Sequence, residues 1–238
     1  MNKKFQVQKY TSPNEAVLAC GQELNKALID SKKTPILLLL SGGSALRTLD
    51  EILPETLGEH ITISVLDERF SQDAKINNFA QMQFTGFYEL ALAGNCNIIG
   101  TLPRIGETIS QFAMRIEKAL HDWAIENPSG KIFATLGMGP EGHTAGIFPM
   151  DDKIKFDSLF LSKNWTVGYT APHKHAERVT ATLTFFEKID EGFALVCGTK
   201  KKPALDKLLL SDKDEINLLP TLGWKKIKSV KIFTDTEI

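Results

Sequence analysis

A single histidine lies inside a run of glycines at residues 135–150, TLGMGPEGHTAGIFPM. Such a density of glycine indicates backbone in unusual dihedral angles, or backbone that a ligand must approach closely. His143 is therefore a candidate general base, and Glu141, two residues earlier, is a candidate partner that fixes its tautomer and raises its basicity. The alternative is a histidine that only caps a turn. The surrounding glycines favour the catalytic interpretation.

A second glycine-rich segment, Ser41-Gly42-Gly43-Ser44, directly follows an apolar run. Glycine N–H groups and the start of a following helix form a suitable cradle for a phosphate, and the serine hydroxyls add further donors. The segment lacks the length and the lysine of a P-loop. A plain tight turn with Ser44 as the helix N-cap is the alternative.

Charged residues follow two other apolar runs. In the segment DER, Arg69 is a candidate ligand for phosphate, and Asp67 is a candidate base or a group that orients a substrate hydroxyl. A surface ion pair among these neighbours is the alternative. Lysines at 200–202 open a predicted helix, where cations oppose the helix dipole, so a bound anion is expected there. A solvated basic patch is the alternative.

The segment APHKHAERVT, residues 171–180, carries two histidines and an arginine. His173 and His175 are interpreted as loop histidines, because no third metal ligand is evident beside them. Arg178 is a candidate second ligand for phosphate.

Hydrophobic periodicity predicts the elements that carry these segments. The predicted strands cover 5–10, 36–40, 61–67, 96–100, 131–137, 165–171, 193–198 and 229–234. The predicted helices cover 13–30, 44–53, 78–93, 106–126 and 200–210. The first helix is expected to begin with a capping box, with Ser12 as the N-cap and Glu15 at the third position.

Alternation of strands and helices predicts an α/β fold, a doubly wound and mainly parallel sheet with helices on both faces. Ligands in such sheets bind at the carboxyl ends of the strands. The polar segments 41–44, 67–69, 139–143 and 198–201 each follow a predicted strand, so they are expected to meet at one rim.

Composition limits the class of protein. The chain has 238 residues, of which 42% are hydrophobic and 24% charged, and a net charge of −1. We expect one α/β domain over residues 1–238, without nucleic-acid binding. Three dispersed cysteines fit a reducing cytoplasm. The apolar run 36–40 is too short to span a membrane, and no apolar signal segment is evident near the first residue.

The segments LSGGS, DER, LGMGPEGHTAGIFP, ERVT and VCGTKK occur in an order that resembles the 6-phosphogluconolactonase family, within the wider glucosamine-6-phosphate isomerase/6-phosphogluconolactonase group. The resemblance implies a modified Rossmann fold, hydrolysis of a sugar-phosphate lactone with His143 as the general base, and no required cofactor or metal. It also implies a monomer or a small homo-oligomer in the cytoplasm, with no nucleic-acid or membrane partner.

The resemblance extends to individual positions. It implies phosphate or substrate contacts for Arg69, Arg178 and Lys201, and favours Lys201 over Lys200. An asparagine of the family corresponds to Asn78. Two departures stand out: Glu141 replaces the usual aspartate, and Ala45-Leu46 replaces the Thr-Pro that follows the family's SGGS loop.

Two other functions are compatible with the group. An amino-sugar-phosphate isomerase/deaminase resembles this chain at Asp67, but it carries a proton-relaying glutamate where this sequence has Phe148. A sugar-phosphate-sensing domain binds without turnover and carries an added DNA-binding helix-turn-helix. Because the α/β pattern begins almost at the first residue, no room is expected for one.

Overall fold

The computed structural model describes residues 5–173, 175–210 and 215–237. The strands are β1 (Phe5–Lys9), β2 (Ile36–Leu40), β3 (Ile61–Val65), β4 (Asp67–Arg69), β5 (Asn97–Ile98), β6 (Lys131–Gly137), β7 (Thr166–Thr170), β8 (Glu177–Ala181), β9 (Glu191–Val196) and β10 (Ser229–Thr234). The α-helices are α1 (Pro13–Asp30), α2 (Asn78–Gln83), α3 (Gly86–Ala93), α4 (Ile109–Glu126), α5 (Lys153–Phe160), α6 (Leu183–Phe186) and α7 (Lys202–Leu210). Short 3₁₀ helices cover Gly43–Glu51, Pro54–Thr56, Thr199–Lys201 and Pro220–Lys226.

Seven of the described strands form one parallel sheet in the order β1-β10-β9-β6-β2-β3-β5. Alternate residues of β2 enter two separate cores: Leu37 and Leu39 face one, and Leu38 and Leu40 face the other. Helices α1 to α3 cover the second core, and α4 to α7 cover the first. The doubly wound, mainly parallel α/β fold is therefore confirmed.

The strand order reverses between β2 and β6. From β2 the chain continues outward to β3 and β5, whereas from β6 it continues the other way to β9 and β10. The loops that leave two neighbouring strands at such a point diverge and open a crevice, where ligands bind in folds of this type. The segments after β2 and β6 are the two glycine-rich segments.

A second, three-stranded antiparallel sheet, in the order β4-β8-β7, corrects the predicted elements. The strand predicted over 61–67 ends at Val65, and Asp67 begins β4 instead. The backbone changes sheets at Leu66, whose N–H donates to Leu40 O and whose carbonyl accepts from Ala181 N–H. Strand β8 has no counterpart in the prediction, and the predicted strand 165–171 lies in this small sheet as β7.

Several predicted helices differ in detail. The segment 44–53 is a 3₁₀ helix over Gly43–Glu51, and Gly42 rather than Ser44 is its N-cap. The helix predicted over 78–93 is interrupted at Phe84, whose ring is 80% exposed. Helix α5 was not predicted. The helix predicted over 106–126 begins at 109, after a capping box of Thr108 and Gln111.

The start of α1 confirms half of its predicted cap. Ser12 is the N-cap and its hydroxyl accepts from Glu15 N–H. The Glu15 carboxylate does not complete the box, because it accepts from the N–H and hydroxyl of Thr11. Cys20, Cys96 and Cys197 are free thiols. Among the described residues, no helix combines the length and the apolar character that crossing a membrane requires.

Candidate active site

A cleft of about 270 Å³ opens at the carboxyl ends of the parallel strands. Nearly every residue that the sequence singled out lines it: Ser41, Gly42, Gly43, Ser44, Asp67, Arg69, His143, Arg178 and Lys201. The remaining one, Glu141, contacts the cleft through His143. The roles predicted for these residues stay predictions, but the chain does bring their side chains together.

His143 and Glu141 form a hydrogen-bonded pair at the rim of β6. His143 Nδ1 lies 2.7 Å from Glu141 Oε1, and this bond lowers the pKa of Glu141. An ionised carboxylate only accepts hydrogen bonds, so Nδ1 carries the ring proton and donates it. Nε2 is left as the acceptor, which is the tautomer a general base needs. The glutamate, longer by one methylene than the family's aspartate, still reaches the ring.

Gly139 makes room for this pair. A Cβ atom at position 139 would lie 2.0 Å from His143 Nδ1 and 2.5 Å from Glu141 Oε2. The Gly139 N–H also donates to His143 O at 2.9 Å, which closes the loop. Gly142 completes the turn with φ of +91°, in the left-handed region that favours glycine. Because position 139 has no side chain, the His143 imidazole packs directly against the backbone of this loop.

We expect Gly139→Ala to lower kcat by about 10²-fold, because a displacement of catalytic groups by about 1 Å has effects of that size. The added methyl group overlaps both His143 and Glu141 and separates them. Steady-state kinetics check this, with Gly86→Ala as the matched control, since Gly86 is exposed, lies outside the cleft, and would bring a Cβ within 4 Å of no other group. Equal kcat values for the two variants would contradict the proposed contact.

The loop after β2 is fixed by Ser41. Its N–H donates to Thr135 Oγ1 at 2.8 Å, and its hydroxyl donates to Thr135 O at 2.7 Å. The hydroxyl proton of Ser41 is thus used within the fold, and its expected contact with an anion stays a prediction. Gly43, with φ of +67°, and the exposed Ser44 leave backbone and hydroxyl groups facing the cleft.

Gly42 permits a close approach between this loop and α2. A Cβ at position 42 would lie 2.4 Å from Asn78 Oδ1. The Asn78 amide nitrogen donates to Asp67 O at 3.0 Å. The asparagine that the resemblance implied therefore connects the β2 loop to β4 at the cleft.

Asp67 pairs with Arg178 rather than with its neighbour Arg69. Arg178 Nη1 lies 3.5 Å from Asp67 Oδ2, and both side chains are buried. Burial raises the pKa of Asp67, while Arg178 is the main opposing influence. Arg178 Nε also donates to His175 O at 2.9 Å. The ion pair is buried, not at the surface, so the alternative interpretation of DER is wrong.

Arg69 and Glu68 join β4 to its surroundings. Arg69 Nη1 donates to Ile76 O at 3.1 Å. The buried Glu68 carboxylate accepts from the N–H groups of Asn78 and Phe79 and from the Thr101 hydroxyl. Burial nevertheless raises the pKa of Glu68 to about 7. Glu68 was not predicted as a functional residue, although alternation along a strand places its side chain opposite those of Asp67 and Arg69.

Lys201 lines the cleft, whereas Lys200 is exposed and does not. Burial lowers the pKa of Lys201. Within the ranges 5–173, 175–210 and 215–237, no carboxylate lies within ion-pairing distance of its amine. The Asp235 carboxylate attracts the amine from beyond ion-pairing distance, so this half-buried cation, with no direct ion pair among the described residues, is suited to an anionic ligand.

Two aromatic groups of the cleft were not predicted as part of the site. Phe148 stacks on the His143 ring with centroids 4.5 Å apart, and His173 stacks on Phe148 at 5.3 Å. His173 was predicted only as a loop histidine. For the residues that the structure covers, no group of three or more histidine, cysteine, aspartate or glutamate side chains is arranged to hold a metal ion.

A family model described as Glucosamine-6-phosphate isomerases/6-phosphogluconolactonase matches residues 11–229. The chain belongs to this family. Both activities in that description are enzymatic, and the order of motifs in the sequence predicted this membership.

Individual relatives agree with this assignment. A 6-phosphogluconolactonase of Neisseria meningitidis is 24% identical over 221 residues, which cover 89% of this chain and 92% of the relative. One of Helicobacter pylori is 26% identical over 183 residues, covering 75% and 74%. The crystal structure of a 6-phosphogluconolactonase from Shewanella baltica has a TM-score of 0.74 at 18% identity, covering 98% of each chain. The three-dimensional structure of the Trypanosoma brucei 6-phosphogluconolactonase has a TM-score of 0.73 at 19% identity, covering 97% of this chain and 96% of that chain. The structural likeness establishes the fold.

Proposed function

We propose that the protein hydrolyses 6-phospho-D-glucono-1,5-lactone to 6-phospho-D-gluconate, a step of the pentose phosphate pathway. The observation that carries this proposal is a single cleft in which the His143–Glu141 pair faces the same space as Arg178 and Lys201. A lactone phosphate presents an electrophilic carbonyl and a dianion on one small molecule. The printed names of the relatives support the same activity.

In the proposed mechanism, His143 Nε2 accepts a proton from a water molecule as the water oxygen attacks C1 of the lactone. The tetrahedral intermediate then collapses, and the bond between C1 and the ring oxygen breaks. The imidazolium returns the proton to that ring oxygen. The product is the open-chain acid, which ionises to the carboxylate. A positioned general base contributes about 10²–10⁴-fold to such a reaction.

The phosphate is held away from the reacting carbon. Lys201, Arg178 and the backbone N–H groups of the loop 42–44 are the proposed ligands, and the binding energy of this remote group orients C1. Asp67 acts by fixing Arg178, which it contacts. Arg69, on the same cleft, is the candidate for stabilising the oxyanion.

Lys201→Ala is expected to raise KM about tenfold or more with kcat little changed, because a hydrogen bond to a charged group contributes about 1.5–3 kcal/mol. Lys200→Ala is the matched control, since this neighbour is exposed and lies outside the cleft. Initial rates over a range of lactone concentrations separate the two constants. An unaltered KM in the Lys201 variant, or a raised one in the Lys200 variant, would remove Lys201 from the phosphate site.

A proton-release assay on freshly prepared lactone, corrected for spontaneous opening, tests the proposed function. Acceleration that saturates with lactone is the expected result. Binding of the lactone or its acid without acceleration would indicate a non-catalytic sugar-phosphate domain.

A glucosamine-6-phosphate deaminase or isomerase is the other candidate within the family. The buried Phe148 ring, in place of the implied glutamate, argues against it, since phenylalanine relays no proton. Release of ammonia from glucosamine 6-phosphate would reverse this choice.

The free thiols fit a reducing compartment, so the cytoplasm stays the proposed location. One domain over residues 1–238 stays the proposed organisation.

A further inference from the structure

Phe148 contacts three polar groups of the cleft at once. Its ring lies 4.5 Å from the His143 ring with an angle of 26° between their planes, and 5.3 Å from the His173 ring with an angle of 28°. Arg178 Cζ lies 5.4 Å from the Phe148 centroid. The phenylalanine is itself only 5% exposed. The buried Phe148 ring therefore packs beneath three side chains that line the cleft, those of His143, His173 and Arg178.

The face of an aromatic ring carries partial negative charge and attracts cations. A stacked imidazole is neutral before the reaction and becomes an imidazolium as water attacks. The attraction between the His143 ring and Phe148 therefore grows as the reaction approaches its transition state. An interaction that strengthens in the transition state raises kcat rather than the affinity for the substrate. The stack also limits rotation of the His143 ring, which keeps Nδ1 on Glu141.

We propose that Phe148 is a positioning residue for the hydrolysis: its ring sets the plane of His143 and stabilises the imidazolium that forms during proton transfer. This inference rests on the proposed function. It assigns Phe148 an electrostatic role in addition to packing in the core.

Several other charged and titratable groups surround His143, and two of them, His173 and Arg178, also contact Phe148. A loss through Arg178, a proposed phosphate ligand, should appear in KM, whereas a loss through His143 should appear in kcat. Glu141 lies on the same loop, Asp67 on β4 and Arg178 on β8. His173 lies between β7 and β8, and Lys201 follows β9. Arg178 is also held by Asp67 and by His175 O, and neither contact involves Phe148, so we expect both to persist when the ring is replaced.

Phe148→Leu is expected to lower kcat about tenfold, with a smaller change in KM, which corresponds to the upper part of the range for a cation above an aromatic face. Phe185→Leu is the matched control for packing, because Phe185 is fully buried in the same core and does not line the cleft. It is expected to lose stability without losing kcat.

Fluorination of the ring separates charge from shape. Mono-, di- and trifluorophenylalanine at position 148 keep the ring but progressively weaken its negative face. We expect kcat to fall stepwise in this series while KM changes little, because each fluorine weakens the attraction between the ring and the imidazolium that forms during proton transfer.

Two outcomes are distinguishable. A wild-type protein that does not accelerate lactone opening overturns the proposed function, and the role of Phe148 in hydrolysis with it. An active wild type whose kcat is unaffected by fluorination at position 148 overturns the role of Phe148 alone. Equal kcat losses in Phe148→Leu and Phe185→Leu would also reduce Phe148 to a packing residue.

Discussion

His143→Ala is expected to lower kcat by about 10²–10⁴-fold, the contribution of a positioned general base. Affinity for the product, 6-phosphogluconate, should change little, because Lys201, Arg178 and the loop 42–44 are left intact. Kinetics on the lactone and calorimetric titration with the product measure the two effects. Product affinity that falls as much as kcat would mean that His143 binds the ligand and does not act as a base.

Glu141→Gln refines this test. A glutamine can turn its amide N–H toward Nδ1, which stabilises the tautomer that has its proton on Nε2 and cannot accept one there. The variant should therefore lose activity although it keeps a hydrogen bond and nearly the same shape. Full activity in Glu141→Gln would show that the contact, 2.7 Å long in the structure, does not select the tautomer.

Arg178→Met is expected to reduce the free energy of unfolding by about 3–5 kcal/mol, the usual effect of removing one partner of a buried ion pair. Both side chains of the Asp67–Arg178 pair are buried, so the substitution leaves an unpaired carboxylate beneath the cleft. Methionine replaces most of the arginine stem, which limits the loss from packing. Activity should fall as well, since Arg178 lines the substrate cleft.

The stability that Arg178→Met loses should depend on pH. Burial already raises the pKa of Asp67 in the folded protein, and Arg178 is the main group that lowers it. Without Arg178 that pKa rises further, so the folded state binds a proton that the unfolded state releases above its ordinary aspartate pKa. Stability of the variant therefore declines as pH rises from about 4 upward. Urea unfolding at pH 4.5 and pH 8 measures this decline.

An equal loss at both pH values would contradict the ion-pair explanation. The double variant Asp67→Asn, Arg178→Met is the control, because a neutral amide has a smaller desolvation penalty than a lone carboxylate. It should recover part of the stability that Arg178→Met loses at pH 8.

The parallel sheet was predictable because buried strands such as β2 are continuous apolar runs. The clustering of the loops at one edge of the sheet was predictable as well, because these loops follow the carboxyl ends of parallel strands. The small antiparallel sheet was not. Strand β4 contains only Asp67–Arg69, and β8 is polar at its first residues, so neither shows the hydrophobic periodicity on which a strand prediction depends.

Contacts between residues that are far apart in the chain could not be predicted from the sequence either. Arg69 is adjacent to Asp67 in the chain, yet β4–β8 pairing brings Arg178 to the carboxylate instead. Phe148 looks like an ordinary core residue, because only its position between two histidine rings distinguishes it. The residue types of the site were thus readable, whereas their partners depend on the fold. The functional roles of the site residues and the single-domain organisation stay predictions.

The position of β10 in the sheet affects how the nascent chain can fold during synthesis. It lies between β1 and β9, and β1 pairs with no other strand of the described sheet. β1 therefore has no strand partner until β10, the last of the described strands along the chain, has been synthesised, and β9 has an open edge until then. The sheet can therefore be completed only after β10 has been synthesised. In the interval, the exposed edge of β9 is open to contact by chaperones or other nascent chains.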